Sequence, residues 1–186
     1  MKSAGCNGVN AAFVDDSDIA LSQEVKQGGI HAVQYYYEGY DQQVLDSPPA
    51  LAALDGDYFP IGFNFITPNT PTATMLANLA KYDPSFHKGD IPSLGLFGSY
   101  LAADLMIKGL QLAGSNPTRQ AFITNLRKDC SYTAGGVLAS PTSMCHFATL
   151  NMLPKQLCTY IVQLNGTHFV LANGGKLLCS NRQAQT

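Results

Sequence analysis

The feature that most constrains this 186-residue chain is the order in which its first apolar runs occur. "GVNAAFV" (8–14), "HAVQYYY" (31–37) and "GDYFPIGF" (56–63) are each bounded by Gly, Asp or Pro, as strands are. Between the first two lies "SDIALSQEVKQGG", which opens on Ser17 or Asp18 as N-cap, keeps Ile19, Leu21 and Val25 apolar, and closes on Gly28 and Gly29. A shorter segment, "SPPALAAL", carries prolines suited to a first helical turn and leads into the third run. The order β-α-β-α-β predicts an α/β fold with a parallel sheet and right-handed crossovers.

Beyond Phe65 the texture changes. "ITPNTPT" reads as a connection, and helices are predicted over about Thr72 to Tyr82, Ser93 to Ala113 and Pro117 to Lys128, the last with Pro117 near its first turn. The middle one is apolar around most of its circumference, which predicts burial between other elements. After "YTAGGVLASPTS" the chain turns β-rich and ends in a hairpin whose turn is placed at Asn165 and Gly166.

Composition excludes several classes. Hydrophobic residues make up 46% and charged residues 13%, so the chain is globular rather than disordered. Eleven Lys and Arg are scattered and the net charge is -2, which leaves no basic stripe for nucleic acid. "MKSAGCNGVN" lacks the apolar core of a secretory signal, so the chain either stays inside the cell or has lost its export signal.

The five cysteines favour export. Cys130 and Cys145 flank a Gly-rich turn region, and Cys158 and Cys179 flank the terminal hairpin, which suits two local disulfides with Cys6 unpaired. Five reduced thiols is the alternative. None of the spacings is Cys-x-x-Cys, so no metal site is expected.

Ligands of a parallel sheet sit beyond the carboxyl ends of its strands. Two loops have that position, "VDDSD" (Val14 to Asp18) and "YEGYDQ" (Tyr37 to Gln42). Asp15, Asp16, Ser17, Asp18, Glu38, Tyr40 and Asp41 form a rim suited to a cationic or hydroxylated group, and the helix N-terminus behind the first loop favours an anion. The plainer alternative is that Ser17 and Asp18 cap a helix while the other groups are solvated. A phospho-receiver pocket with magnesium, built from "FVDDSD" with Asp55 or Asp57, Thr74 and Lys108, is a weaker alternative, because those later aspartates precede their strand. There is no nucleophile elbow, P-loop or dinucleotide fingerprint, so neither a catalytic residue nor a cofactor is expected.

Five segments in order carry a resemblance: "MKSAGCNGVNAAFVDDSDIALSQEVKQGGI", "YYYEGYDQ", "SLGLFGSYLAADLMIKGLQLAG", "NPTRQAFITNLRK" and "CTYIVQLNGTHFV". Together they resemble the C-terminal half of a type I periplasmic substrate-binding protein of the branched-chain amino acid (leucine/isoleucine/valine-binding) ABC transporter family. The resemblance implies two Rossmann-like α/β lobes joined by three hinge strands, with the ligand held in the cleft between them. Residues 1–65 would then belong to the second lobe, 66–155 would return to the first, and 156–186 would form a hairpin crossing back.

It also implies an extracytoplasmic solute-binding component of an ABC importer, periplasmic or extracellular and membrane-anchored in a full-length parent, with a membrane permease as partner and without catalysis. Glu38, before Gly39, matches the acid that takes a ligand ammonium, with Tyr37 and Tyr40 as walls. Asp15, Asp16 and Ser17 match a pocket loop where the family often carries Tyr or Gly. That departure leaves an amino acid, an amide and a polyol open as the small-molecule solute, and a non-binding structural fragment is a further alternative.

Overall fold

The computed structural model of the chain describes residues 2–87, 89–141 and 156–181. Strands β1 (Gly8–Ala11), β2 (Val33–Tyr36) and β3 (Tyr58–Ile61) are parallel neighbours. Helix α1 (Asp15–Gln27) connects the first two, and α2 (Gln42–Leu45) and α3 (Pro48–Leu54) connect the second and third. Each strand is shorter than its apolar run.

Strand β4 (Gln156–Asn165) lies antiparallel on β3, and β5 (His168–Leu171) folds back on β4, giving the order β1-β2-β3-β4-β5. The sheet is therefore mixed rather than purely parallel. The hairpin loop is Gly166 and Thr167, one residue later than predicted, because Asn165 and His168 pair across it. Gly166 has φ 62°, the positive value that the first loop position of a type II′ turn requires.

Helix α1 departs from its sequence reading. It begins one turn earlier, with Val14 as N-cap and no side-chain cap, so neither Ser17 nor Asp18 serves as N-cap. Its buried residues are Asp18, Ser22 and Val25, at helical spacing, while Ile19 and Leu21 are only half-buried. A polar inner stripe suits what faces it. The Ser22 hydroxyl donates to Asp57 Oδ2 (2.6 Å), and Gln34 Nε2 donates to Asp57 Oδ1 (3.2 Å). Lys26 closes the group with an ion pair to Asp57 at 3.3 Å. Around it Tyr36, Leu54, Phe59, Ile61, Val162 and Leu164 form the core of this layer.

The chain divides into two compact units, the first comprising 1–61, 89–94 and 160–176, the second 62–88, 95–159 and 177–186. The second contains α4 (Pro71–Tyr82), α5 (Leu94–Ala113, from Gly95 onward) and α6 (Arg119–Leu126). Thr70 caps α4 by accepting from the Ala73 N–H, and Thr118 caps α6 through the Ala121 N–H, so Pro117 sits just outside that helix rather than in its first turn. Phe63 stacks on Phe97 at 3.9 Å, and Gly109 admits the Phe122 ring where a Cβ would lie 2.3 Å from it.

Only Phe97 and Gly109 of α5 are buried, and Met106 and Ile107 are more than half exposed. The expected burial of this helix between other elements is not met by the described residues. Strand β6 (Leu178–Asn181) pairs with the first four residues of β4, and Cys158 is bonded to Cys179 there. Cys130 is disulfide-bonded, Cys145 lies outside the described residues, and Cys6 is free and exposed.

Candidate functional site

Ala11 pairs with Tyr36, and the Tyr37 N–H continues the ladder to the Ala11 carbonyl at 3.1 Å. The chain segments that follow β1 and β2 therefore leave side by side at the carboxyl edge of the parallel strands, the position predicted for a ligand. The second of them is fixed from outside: Gln42 exchanges hydrogen bonds with the Ile91 backbone, donating its N–H at 3.1 Å and accepting at its side-chain oxygen at 3.3 Å.

Carboxylates dominate this edge. Asp15 is half-buried with one oxygen, Oδ1, lacking a hydrogen-bond partner. Burial pushes its pKa up to about 6, helped by the negative charges of Asp41, Glu38, Asp18 and Asp16. Asp18 is 1% exposed, and the Phe13 and Glu38 N–H groups approach its oxygens without reaching full hydrogen-bond geometry. Burial raises its pKa; the Phe13 N–H gives partial relief, the Glu38 charge opposes it, and the Glu38 N–H relieves it further. Asp41 is buried as the N-cap of α2, accepting from the Gln43 N–H at 2.7 Å. Glu38 is half-buried, and Asp16 and Ser17 are exposed.

The tyrosines divide. Tyr37 is exposed beside Glu38. Tyr40, expected as a wall of the site, is buried with its ring edge-on to Phe169 at 4.8 Å, and that burial holds its hydroxyl above the usual phenol range. A ring from the distant hairpin draws it inward, which the local sequence does not show. Gly39 is buried at φ 111°, and a Cβ there would lie 2.5 Å from the Phe59 ring, so its role is to let the loop pass over that ring.

Sequence reasoning placed Asp18 on the open rim or at the helix N-cap, where the structure buries it inside α1, and passed over Phe13, which is exposed two residues before Asp15. A buried carboxylate inside a helix leaves no periodicity signal. An exposed phenylalanine just beyond a strand's carboxyl end was the available clue to the other.

Two other places are less suited to a solute. The receiver-like pocket does not form: Asp57 is held by Ser22, Gln34 and Lys26, Asp55 accepts from the Gly166 N–H at 2.8 Å, and the described residues offer no group of three metal-ligating side chains. In the second unit, a hollow of about 400 Å³ lies beside Asp104, Lys108 and Tyr132. Its charged groups and tyrosine are engaged, Tyr132 donating to Asp104 at 2.7 Å and Lys108 pairing with Asp129 at 2.5 Å.

A family model described as "Periplasmic binding protein" matches residues 1–168. The chain belongs to the periplasmic binding protein family. No curated protein sequence matches it. Among solved structures, a branched-chain amino acid ABC transporter protein from Thermus thermophilus with bound valine superposes with a TM-score of 0.70 at 14% identity, over 92% of this chain and 46% of that one. A fatty acid ABC transporter substrate-binding protein from Thermomonospora curvata gives 0.66 at 20% identity, over 89% and 42%. The branched-chain amino acid transporter substrate-binding protein of Streptococcus pneumoniae, in complex with isoleucine, gives 0.61 at 14%, over 96% and 47%.

The chain thus spans under half the length of these solved structures and has part of the type I periplasmic-binding-protein fold. No described ion pair reaches Asp15, Asp18, Glu38 or Asp41; Lys26 and Lys108 are engaged elsewhere. No described helix is long and apolar enough to cross a membrane.

Proposed function

We propose that the chain is the solute-binding component, or part of it, of an ABC importer that works outside the cytoplasm with a membrane permease, and that it performs no catalysis. One observation carries this reading: in a chain of this family, unpaired carboxylates and an exposed tyrosine converge on the sheet edge where α/β folds bind ligands. Glu38 receives a ligand ammonium, Tyr37 gives an apolar wall, and the acidic segment from Asp15 to Asp18 forms the floor beside them. In the domain reading, residues 1–65 belong to the second lobe, 66–155 to the first, and the tail crosses back. The Cys158–Cys179 bond and the bonded state of Cys130 support an oxidising compartment.

The test is a thermal-shift panel of amino acids, amides, polyols and fatty acids. A saturable rise in melting temperature with one class, weakened by Glu38→Gln when the hit carries an amine, is the expected result. No saturable response to any class would leave a non-binding fragment as the better description.

A further inference from the structure

We infer that Asn173 is a site of spontaneous deamidation at the carboxyl edge of the sheet, and that the Asp55 carboxylate protects Asn165 from the same reaction. The chain has three Asn-Gly pairs, Asn7–Gly8, Asn165–Gly166 and Asn173–Gly174. In such a pair the glycine nitrogen, once it has lost its proton to solvent, attacks the asparagine Cγ, and no side chain on the glycine hinders the closing ring. The Cγ–Nδ2 bond breaks, and the departing nitrogen takes a proton back from solvent and leaves as ammonia. A water molecule then opens the cyclic imide to aspartate or isoaspartate.

The structure separates the three pairs. All three asparagines are exposed, so burial does not rank them. The Gly166 N–H donates to Asp55 Oδ1 at 2.8 Å, and Asn165 is paired with His168 across the turn. That carboxylate holds the proton that must leave, and its charge opposes the amide anion that would form. Asn7 is tied into the start of the parallel ladder, its carbonyl accepting from the Val33 N–H at 3.0 Å. Around Asn173 the restraints are fewer. It lies in a turn after β5 at φ 52°, followed by Gly174 at 62° and Gly175 at 70°. The Gly174 N–H has no acceptor among the described residues, and the Asn173 carbonyl accepts only from the Lys176 N–H, at 3.3 Å. Two successive glycines let the backbone rotate into the closing geometry at little cost.

Strand direction gives the modification its place. β4 is antiparallel to β3 and β5 is antiparallel to β4, so β5 points the same way as the parallel strands and Asn173 follows it at their carboxyl edge. Asn165 stands at the opposite, amino edge. Deamidation of Asn173 therefore puts a new carboxylate on the edge that carries Asp15 and Glu38, while Asp55 keeps the hairpin turn at the other edge unchanged.

The experiment is incubation of the folded chain in heavy-oxygen water at mildly alkaline pH, with peptide mapping of the carboxyl label at Asn7, Asn165 and Asn173. A parallel incubation in denaturant gives the rates without structure, which should be similar at the three pairs. In the folded protein Asn173 should be labelled fastest, and Asn165 at least about tenfold more slowly than Asn173, the factor expected of a hydrogen bond to a charged acceptor. Asp55→Ala should raise the rate at Asn165 and leave that at Asn173 unchanged. Asp55→Asn, which keeps an acceptor without the charge, should fall between. Equal folded rates at Asn165 and Asn173, or an Asn173 that reacts only in denaturant, would overturn the assignment of the site. A rate at Asn165 that Asp55→Ala leaves unchanged would overturn the protective role, because pairing in the hairpin would then suffice. A rate that Asp55→Ala lowers would overturn it too, by making the carboxylate a base for the reaction.

Discussion

The Ser22 hydroxyl donates to Asp57 at 2.6 Å and to the Ala53 carbonyl at 2.7 Å, so one small side chain on α1 ties the helix to the carboxylate that precedes β3. A hydroxyl has one proton, so the two contacts alternate, with Gln34 and Lys26 keeping Asp57 satisfied in either state. This cluster lies at the amino end of β3, whereas the unpaired acids lie at the carboxyl edge of the parallel strands. Asp57 is held by donors of the fold itself, whereas the acids at the other edge have no basic partner among the described ion pairs.

Ser22→Ala should therefore destabilise the protein by about 1–3 kcal/mol, because a buried carboxylate loses a donor that water cannot replace. Chemical denaturation reads this as a lower midpoint at constant slope. A change below about 0.5 kcal/mol would mean that Gln34 and Lys26 suffice for Asp57.

Gly39→Ala combines a positive φ with a Cβ 2.5 Å from the Phe59 ring. A loss of roughly 2–4 kcal/mol is expected, beyond what an unstrained glycine replacement produces. Adding Phe59→Leu should restore part of it by removing the clash but not the dihedral strain, and a purely additive pair would refute the contact.

What the sequence made legible, and what it hid, follows from the range of the interactions. The β-α-β-α-β order is carried by apolar runs and turn residues a few positions apart, so it reads locally. The carboxyl edge, where parallel sheets bind ligands, follows from strand direction alone. The inner face of α1 was hidden because a periodicity search counts apolar residues, and this helix buries Asp18 and Ser22 against a polar cluster. The burial of Tyr40 was hidden because its partner, Phe169, comes from the far hairpin. The exposure of α5 was misjudged because an apolar helix normally implies a surrounding core, and the described residues build little of one around it.

Reduction of the Cys158–Cys179 bond should lower the stability of the β4–β6 ladder. The bond closes a loop of sequence separation 21, for which a loss of about 2–4 kcal/mol is expected from the unfolded chain's regained freedom. A double Cys158→Ser, Cys179→Ser variant should melt lower than the oxidised protein. Its response to reductant should keep only the share due to the bond at Cys130. A variant that melts where the parent does would show that the bond adds nothing.

Asp15 gives the acidic edge a pH signature whose sign is fixed. Its folded-state pKa, about 6, lies above its ordinary value of 3.8, so folding favours the protonated carboxyl. Its contribution to stability is complete below the lower value and is lost as pH rises through the upper one. After allowance for solvent screening at a half-buried group, the loss is of order 1 kcal/mol. Asp15→Asn should flatten the fall in melting temperature over that window and stabilise the free protein near neutral pH.

Asp18→Asn tests the same field from its buried side. Replacing a buried carboxylate that has only imperfect N–H contacts by a neutral amide of the same shape removes the cost of burying a charge, which predicts a gain of roughly 1–3 kcal/mol near neutral pH. The gain should shrink in acid, where the native carboxyl carries its own proton because burial holds its pKa up. A loss of stability near neutral pH would mean that the contacts with the Phe13 and Glu38 N–H groups outweigh the desolvation of the charge, making Asp18 a clasp between the two loops. A gain would leave it as a charge held in place at the expense of the free protein.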